Sequence, residues 1–158
     1  MKEEYKKLPL RSGVGIIELN KDNKVFVAKR IDNPKNFWQM PQGGINKNED
    51  FFTAALRELK EETSTNCKIK RFLGCLEYSF EPGHSSICHN HEYNFIFEAE
   101  SEHLKSDRKI ICPEKHIELI WMPISSLQEI DFRAEPLRKL LPLWLTGNSD
   151  DKFMSKMI

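Results

Sequence analysis

Hydrophobic and polar positions change their period several times along the chain, and each change marks an element. Residues 14–19 are β-branched and apolar, residues 20–23 are a polar turn cluster, and Val25, Val27 and Lys29 then alternate against Phe26, Ala28 and Arg30. That pattern predicts a β-hairpin. Residues 37–44 have no period, and Pro41 with the paired Gly43 and Gly44 predicts an irregular loop whose backbone can approach a ligand closely. From 49 to 65, Phe52, Ala55, Leu56 and Leu59 recur at helical spacing while Glu58, Glu61 and Glu62 occupy a different strip, which predicts an amphipathic helix. Further strands are expected at 69–77, 93–99 and 117–122. A last helix is expected from Pro136 through Leu137, Leu140, Leu141 and Trp144, with Pro142 kinking or shortening it.

Length adds that one domain carries everything: 158 residues suit a single core, read here as 1–147 with a frayed tail at 148–158. Lysine plus arginine and aspartate plus glutamate both total 24, so no global field attracts a polyanion or an anionic membrane, and phosphate recognition must be local. A role driven by a basic RNA-binding face is disfavoured on the same ground. No segment approaches the roughly 18 apolar residues of a membrane span. The 4 cysteines form no CxxC pair, and with no secretion signal visible they read as reduced thiols of a cytoplasmic protein.

The acidic helix is where chemistry concentrates. Glu58, Glu61 and Glu62 stand at three- and four-residue spacing, and like charges so placed destabilise a helix by roughly 0.2–0.5 kcal/mol per pair. A cation bound to them would compensate, and oxygen-only carboxylate ligands select hard ions, Mg²⁺ or Mn²⁺, that bridge to substrate phosphates. An isolated acidic run is usually a solvated helix face. Here a Gly-Gly loop lies immediately upstream, and Glu49 with Arg57 can tie that loop to the helix.

Gly43, Glu49, Arg57, Glu58, Leu59, Glu61 and Glu62 resemble the box of the Nudix family, GX5EX7REUXEEXGU, in which U is aliphatic. The chain departs only at the end, with Ser64 and Thr65 in place of glycine and an aliphatic residue, so a left-handed helix terminus must be made by Ser64 or Asn66. The resemblance implies the Nudix fold, an α/β/α sandwich with a central mixed β-sheet. It implies a hydrolase that splits a pyrophosphate linkage in a nucleoside diphosphate derivative with one or more Mg²⁺ ions, Mn²⁺ being a possible substitute. Glu58, Glu61 and Glu62 would hold metal together with the Gly43 carbonyl, and Glu61 or Glu62 could take a proton from water. Glu49 and Arg57 would support the site.

Residues 38–45, Trp-Gln-Met-Pro-Gln-Gly-Gly-Ile, resemble more narrowly the bacterial dinucleoside polyphosphate hydrolases and RNA pyrophosphohydrolases of that superfamily. Gln42 is the informative position, and the resemblance implies a long phosphate chain in the substrate, either a dinucleoside polyphosphate or the 5′-triphosphate end of RNA. Lys29 and Arg30 are then candidate phosphate contacts. Glu118, a few residues before Trp121, resembles the late glutamate that reaches the metal site from outside the box, with Glu114 as competitor. The segment 84–92, dense in His and Cys, has three readings: a zinc site strained by such close ligands, a substrate-facing loop, or a polar connection. Tyr78, Phe80 and Tyr93 could stack on a base, and none is assigned. Another leaving group, as in ADP-ribose or a damaged nucleotide, or a non-catalytic nucleotide-binding module of the same fold, remain the alternatives; the metal-site residues do not choose the leaving group.

Overall fold

The polar cluster after the first strand closes a tight turn: Asn20 Oδ1 accepts from the backbone N–H groups of Asp22 at 2.9 Å and Lys24 at 3.0 Å, and Asn23 takes the left-handed conformation at φ 55°. In the computed structural model, which describes residues 10–31, 37–64, 67–79, 91–101, 116–130, 135–146 and 153–157, this turn joins β1 (Leu10–Leu19) to β2 (Lys24–Arg30). The hairpin is real but short-lived, with Leu19 opposite Val25 at its base, after which the two strands diverge. Into the gap come β3 (Trp38–Gln39), antiparallel to β2, and β4 (Gln42–Gly44), antiparallel to β1. The segment expected to be an irregular loop thus makes two brief strands around Pro41, because the divergence leaves ladder positions open on both neighbours.

The remaining strands are β5 (Cys67–Ser79), β6 (His91–Ser101), β7 (His116–Pro123) and β8 (Phe153–Met157). Strand β6 runs parallel to β1 and antiparallel to β5, β7 is antiparallel to β2, and β8 is parallel to β5, so the described residues form a mixed sheet of eight strands. Strand β8 falls within the segment read from sequence as a frayed tail. Helix α1 (Phe51–Thr63) and helix α2 (Glu135–Thr146) cover opposite faces. Ile17, Val25, Val27, Ile96 and Met122 pack with Leu137, Leu141 and Trp144 of α2, whereas Val14, Ile16, Phe97 and Ala99 pack with Ala54, Ala55 and Leu59 of α1. This is the α/β/α arrangement expected, and strand alternation decides which face each side chain serves. Helix α2 continues through Pro142 to Thr146, since the buried Leu141 and Trp144 hold both sides of the proline against the sheet.

Helix α1 keeps Ala55 and Leu59 of its expected apolar strip against the sheet and turns the other two residues outward. Phe52 and Leu56 are exposed, and the side facing the sheet consists of Ala54, Ala55, Glu58, Leu59, Glu62 and Thr63. Two alanines bring the helix close enough for Glu58 and Glu62 to be buried at its sheet-side edge. The helix ends at Ser64, which is left-handed at φ 52° and donates its N–H to the Lys60 carbonyl at 2.8 Å. Ser64 therefore performs the terminus usually given to glycine, at a steric cost. Ser64→Gly is expected to raise stability by about 0.5–1 kcal/mol after the entropy of the unfolded chain is subtracted. A lower urea midpoint for the glycine variant would contradict this.

Candidate active site

Asp50 caps α1 by accepting from the Thr53 N–H at 2.9 Å and the Thr53 hydroxyl at 2.8 Å, which directs the next two turns toward β4. Glu62, 5% exposed, accepts the Gln42 backbone N–H at 3.1 Å. Glu58, 7% exposed, places its carboxylate where a Cβ on Gly43 would stand. Glycine is therefore required at 43 by close approach of helix to loop.

Arg57 joins these parts. Its Nε and Nη2 donate to the two Glu49 oxygens at 2.8 and 2.9 Å, Nη2 also donates to the Gly44 carbonyl at 2.8 Å, and Nη1 reaches Glu58 at 2.6 Å. The paired bonds to Glu49 are the fork geometry that guanidinium and carboxylate favour. Glu49 also accepts the Asn46 N–H at 2.9 Å, fixing the turn between β4 and α1. Arg57 beside it, with the Asn46 amide, holds the Glu49 carboxyl below its ordinary value, and Glu49 and Glu58 raise Arg57. Because the folded value of Glu49 is depressed, its stabilising contribution is full above the ordinary 4.5 and is lost as pH falls through the folded value. Urea midpoints of the wild type and Glu49→Gln are expected to differ at pH 7 and to draw together at pH 3; a constant gap would refute the ion-pair account.

The three carboxylates of the box do not behave as one group. Glu58 and Glu62 turn inward to the loop, whereas the Glu61 side chain is 58% exposed and meets Arg57 Nη1 only at 3.4 Å. Among the described residues, no three His, Cys, Asp or Glu side chains are gathered as a metal cage. The donor chemistry nevertheless suits a hard cation, being carboxylate and carbonyl oxygen throughout, with the Glu58 carboxylate brought against the loop by the missing side chain of Gly43. One expected donor changes. The Gly43 carbonyl oxygen lies 3.0 Å from a Cβ built on Gly13 and so faces β1. Carbonyls alternate between the edges of an antiparallel strand, which turns those of Gln42 and Gly44 to the other edge, where Gly44 meets Arg57.

Alternation also separates the candidates outside the box. Lys29 follows Val25 and Val27 onto the α2 face, where its Nζ stands 5.5 Å from the centre of the Trp38 ring. Glu118, opposite Lys29 in the ladder and two residues before Ile120, is exposed on that face too, away from α1. Arg30 lies on the α1 face, donating from Nη1 to Gln39 Oε1 at 2.9 Å. Gln39 pairs with Ala28, back to back with Trp38. Thus Gly43, Glu58, Glu62, Glu49 and Arg57 come together with the Gln42 backbone, Glu61 borders them, Arg30 shares their face, and Lys29 and Glu118 do not. Gln39 was not foreseen, because a glutamine in a two-residue strand carries no periodic signal. Tyr93 donates its hydroxyl to Glu77 at 3.0 Å. Residues 84–90, Glu114, Phe80 and Asn66 lie outside the described residues, as does the side chain of Tyr78.

Residues 9–144 match the NUDIX domain, and the chain belongs to that family. It is a hydrolase with the pyrophosphohydrolase chemistry of that family, whose members generally depend on a divalent metal. A Pelagibacter ubique protein described as an RNA pyrophosphohydrolase is 44% identical over 146 residues, 84% of this chain and 90% of the relative. Another so described, from Orientia tsutsugamushi, is 45% identical over 67 residues, 42% of each chain. Among solved structures, the MutT protein of Methanosarcina mazei superposes with a TM-score of 0.70 at 18% identity, covering 91% of this chain and 99% of the other, a likeness of fold. No helix among the described residues is long and apolar enough to cross a membrane.

Proposed function

We propose that this chain is a Mg²⁺-dependent pyrophosphohydrolase of the triphosphorylated 5′ end of RNA, with dinucleoside polyphosphates as the competing substrate of similar phosphate length. The observation that carries the reading is the 44% identity with a protein described as an RNA pyrophosphohydrolase, spanning 84% of this chain and including residues 38–45. Such a substrate belongs to the cytoplasm. Glu58, Glu61 and Glu62, with the Gln42 carbonyl, would hold the cation. Bound there, it would offset charge on the phosphate oxygens and acidify water, the larger part of what phosphoryl transfer requires.

The chain's own groups have distinct tasks in this account. Arg57 and Glu49 hold β4 and α1 in register, so that the carboxylates meet the loop without rearrangement. Glu61, the most exposed of the three, has room to accept the proton of an attacking water. Arg30, on the same sheet face, would bind a phosphate oxygen, and Gln42 would border the phosphate chain. This reading gives no task to Lys29 and Glu118, which alternation sets on the sheet face that α2 covers. The test is a product-resolved assay with Mg²⁺ on triphosphorylated RNA, diadenosine polyphosphates, ADP-ribose and nucleoside triphosphates. Pyrophosphate release with the largest kcat/KM on the RNA is expected; a preference for ADP-ribose would overturn the substrate assignment.

A further inference from the structure

Gln39 is a buried polar side chain with no part in the reaction proposed for the site. It is 2% exposed, sits in β3 beside the buried Met40, and accepts from Arg30 Nη1 at 2.9 Å. A buried amide is tolerated only when its polar atoms are bonded, whereas an apolar residue such as the adjacent methionine would fill the space without that demand. The oxygen's part of that demand is met by Arg30, whose guanidinium lies on the sheet face that α1 covers. Arg30 is held at its backbone as well, where its N–H donates to the Phe37 carbonyl at 2.8 Å. Farther along the same short segment, the Gln42 N–H donates to Glu62 at 3.1 Å. One stretch of chain therefore fixes a guanidinium near one end and a box carboxylate near the other, on one face of the sheet.

We propose that Gln39 is a positioning residue for the substrate: its side-chain oxygen orients the Arg30 guanidinium so that the other N–H donors of Arg30 meet the phosphate chain. This rests on the functional reading above. A long cationic side chain samples many rotamers, and a bond to one nitrogen from a rigid buried acceptor removes most of that freedom before substrate arrives. The contact acts on binding rather than on the bond being broken, so its loss belongs in KM.

The test is steady-state hydrolysis of a 5′-triphosphorylated RNA oligonucleotide with Mg²⁺ by the wild type, Gln39→Leu, Gln39→Glu, Arg30→Ala and the Gln39→Leu/Arg30→Ala double variant. Gln39→Leu is expected to raise KM about tenfold with kcat within about twofold. Gln39→Glu, which keeps an acceptor for the guanidinium, is expected to restore KM, and Gln39→Leu is expected to add nothing once Arg30 is absent. Should Gln39→Leu fail to fold, Gln39→Met takes its place in both backgrounds. A full effect that persists without Arg30, a fall in kcat at constant KM, or an unmoved KM in an active enzyme would overturn the inference alone. A wild type inert on this RNA would overturn the functional reading, and this inference with it.

Discussion

Replacing Arg57 by methionine is expected to lower stability by about 2–3 kcal/mol, which for a domain of this size shifts the thermal midpoint by roughly 5–10 °C. The arginine stem is kept, so what is lost is the guanidinium. Glu49 loses both of its Arg57 bonds, Glu58 loses the one at 2.6 Å, and the Gly44 carbonyl loses its partner. Glu49 and Glu58 side chains are only 10% and 9% exposed, so water repairs little of the loss. The cost stays below that of a fully buried pair because Arg57 itself is 25% exposed. Activity is expected to fall as well, by about a hundredfold, since the loop and the helix that share the reaction are no longer tied. Thermal melts and kcat/KM measured on the same preparation check both statements, and a midpoint within about 2 °C of the wild type would remove Arg57 from its central place.

Glu62→Gln is expected to do the reverse, lowering kcat by about a thousandfold or more while leaving the fold almost untouched. Glutamine retains an oxygen that can accept the Gln42 N–H, so the contact between β4 and α1 survives. The lost quantity is charge, which the cation and the transition state both need. Phosphate release measured with Mg²⁺ beside a thermal melt separates the outcomes. A variant that melts normally and turns over within tenfold of the wild type would show that Glu62 is an interior fold contact and nothing more.

The parts of this molecule that were legible in its sequence are those whose cause is local. The turn at Asn20–Asn23, the helix over the box and the Glu49–Arg57 pair follow from neighbouring residues, and the structure contains all of them. Alternation along β2 was legible too, but not which face α1 would cover, and that choice separates Arg30 from Lys29. The expected apolar strip of α1, Phe52, Ala55, Leu56 and Leu59, divides in the structure: Ala55 and Leu59 are buried against the sheet, whereas Leu56 is exposed and Phe52 leans at the rim on Phe97, with ring centres 5.1 Å apart. The carbonyl directions of β4 follow from pairing with β1, a partner far away in sequence. The continuation of α2 past Pro142 and the addition of β8 likewise depend on the sheet they pack against or extend.

The most direct measurement is anomalous diffraction from crystals soaked in Mn²⁺. The expected result is an ion bound by oxygens of Glu58 and Glu62 together with the Gln42 carbonyl, with Glu61 drawn in from solvent. Manganese absent from this corner of α1 and β4, or bound only elsewhere on the protein, would contradict it.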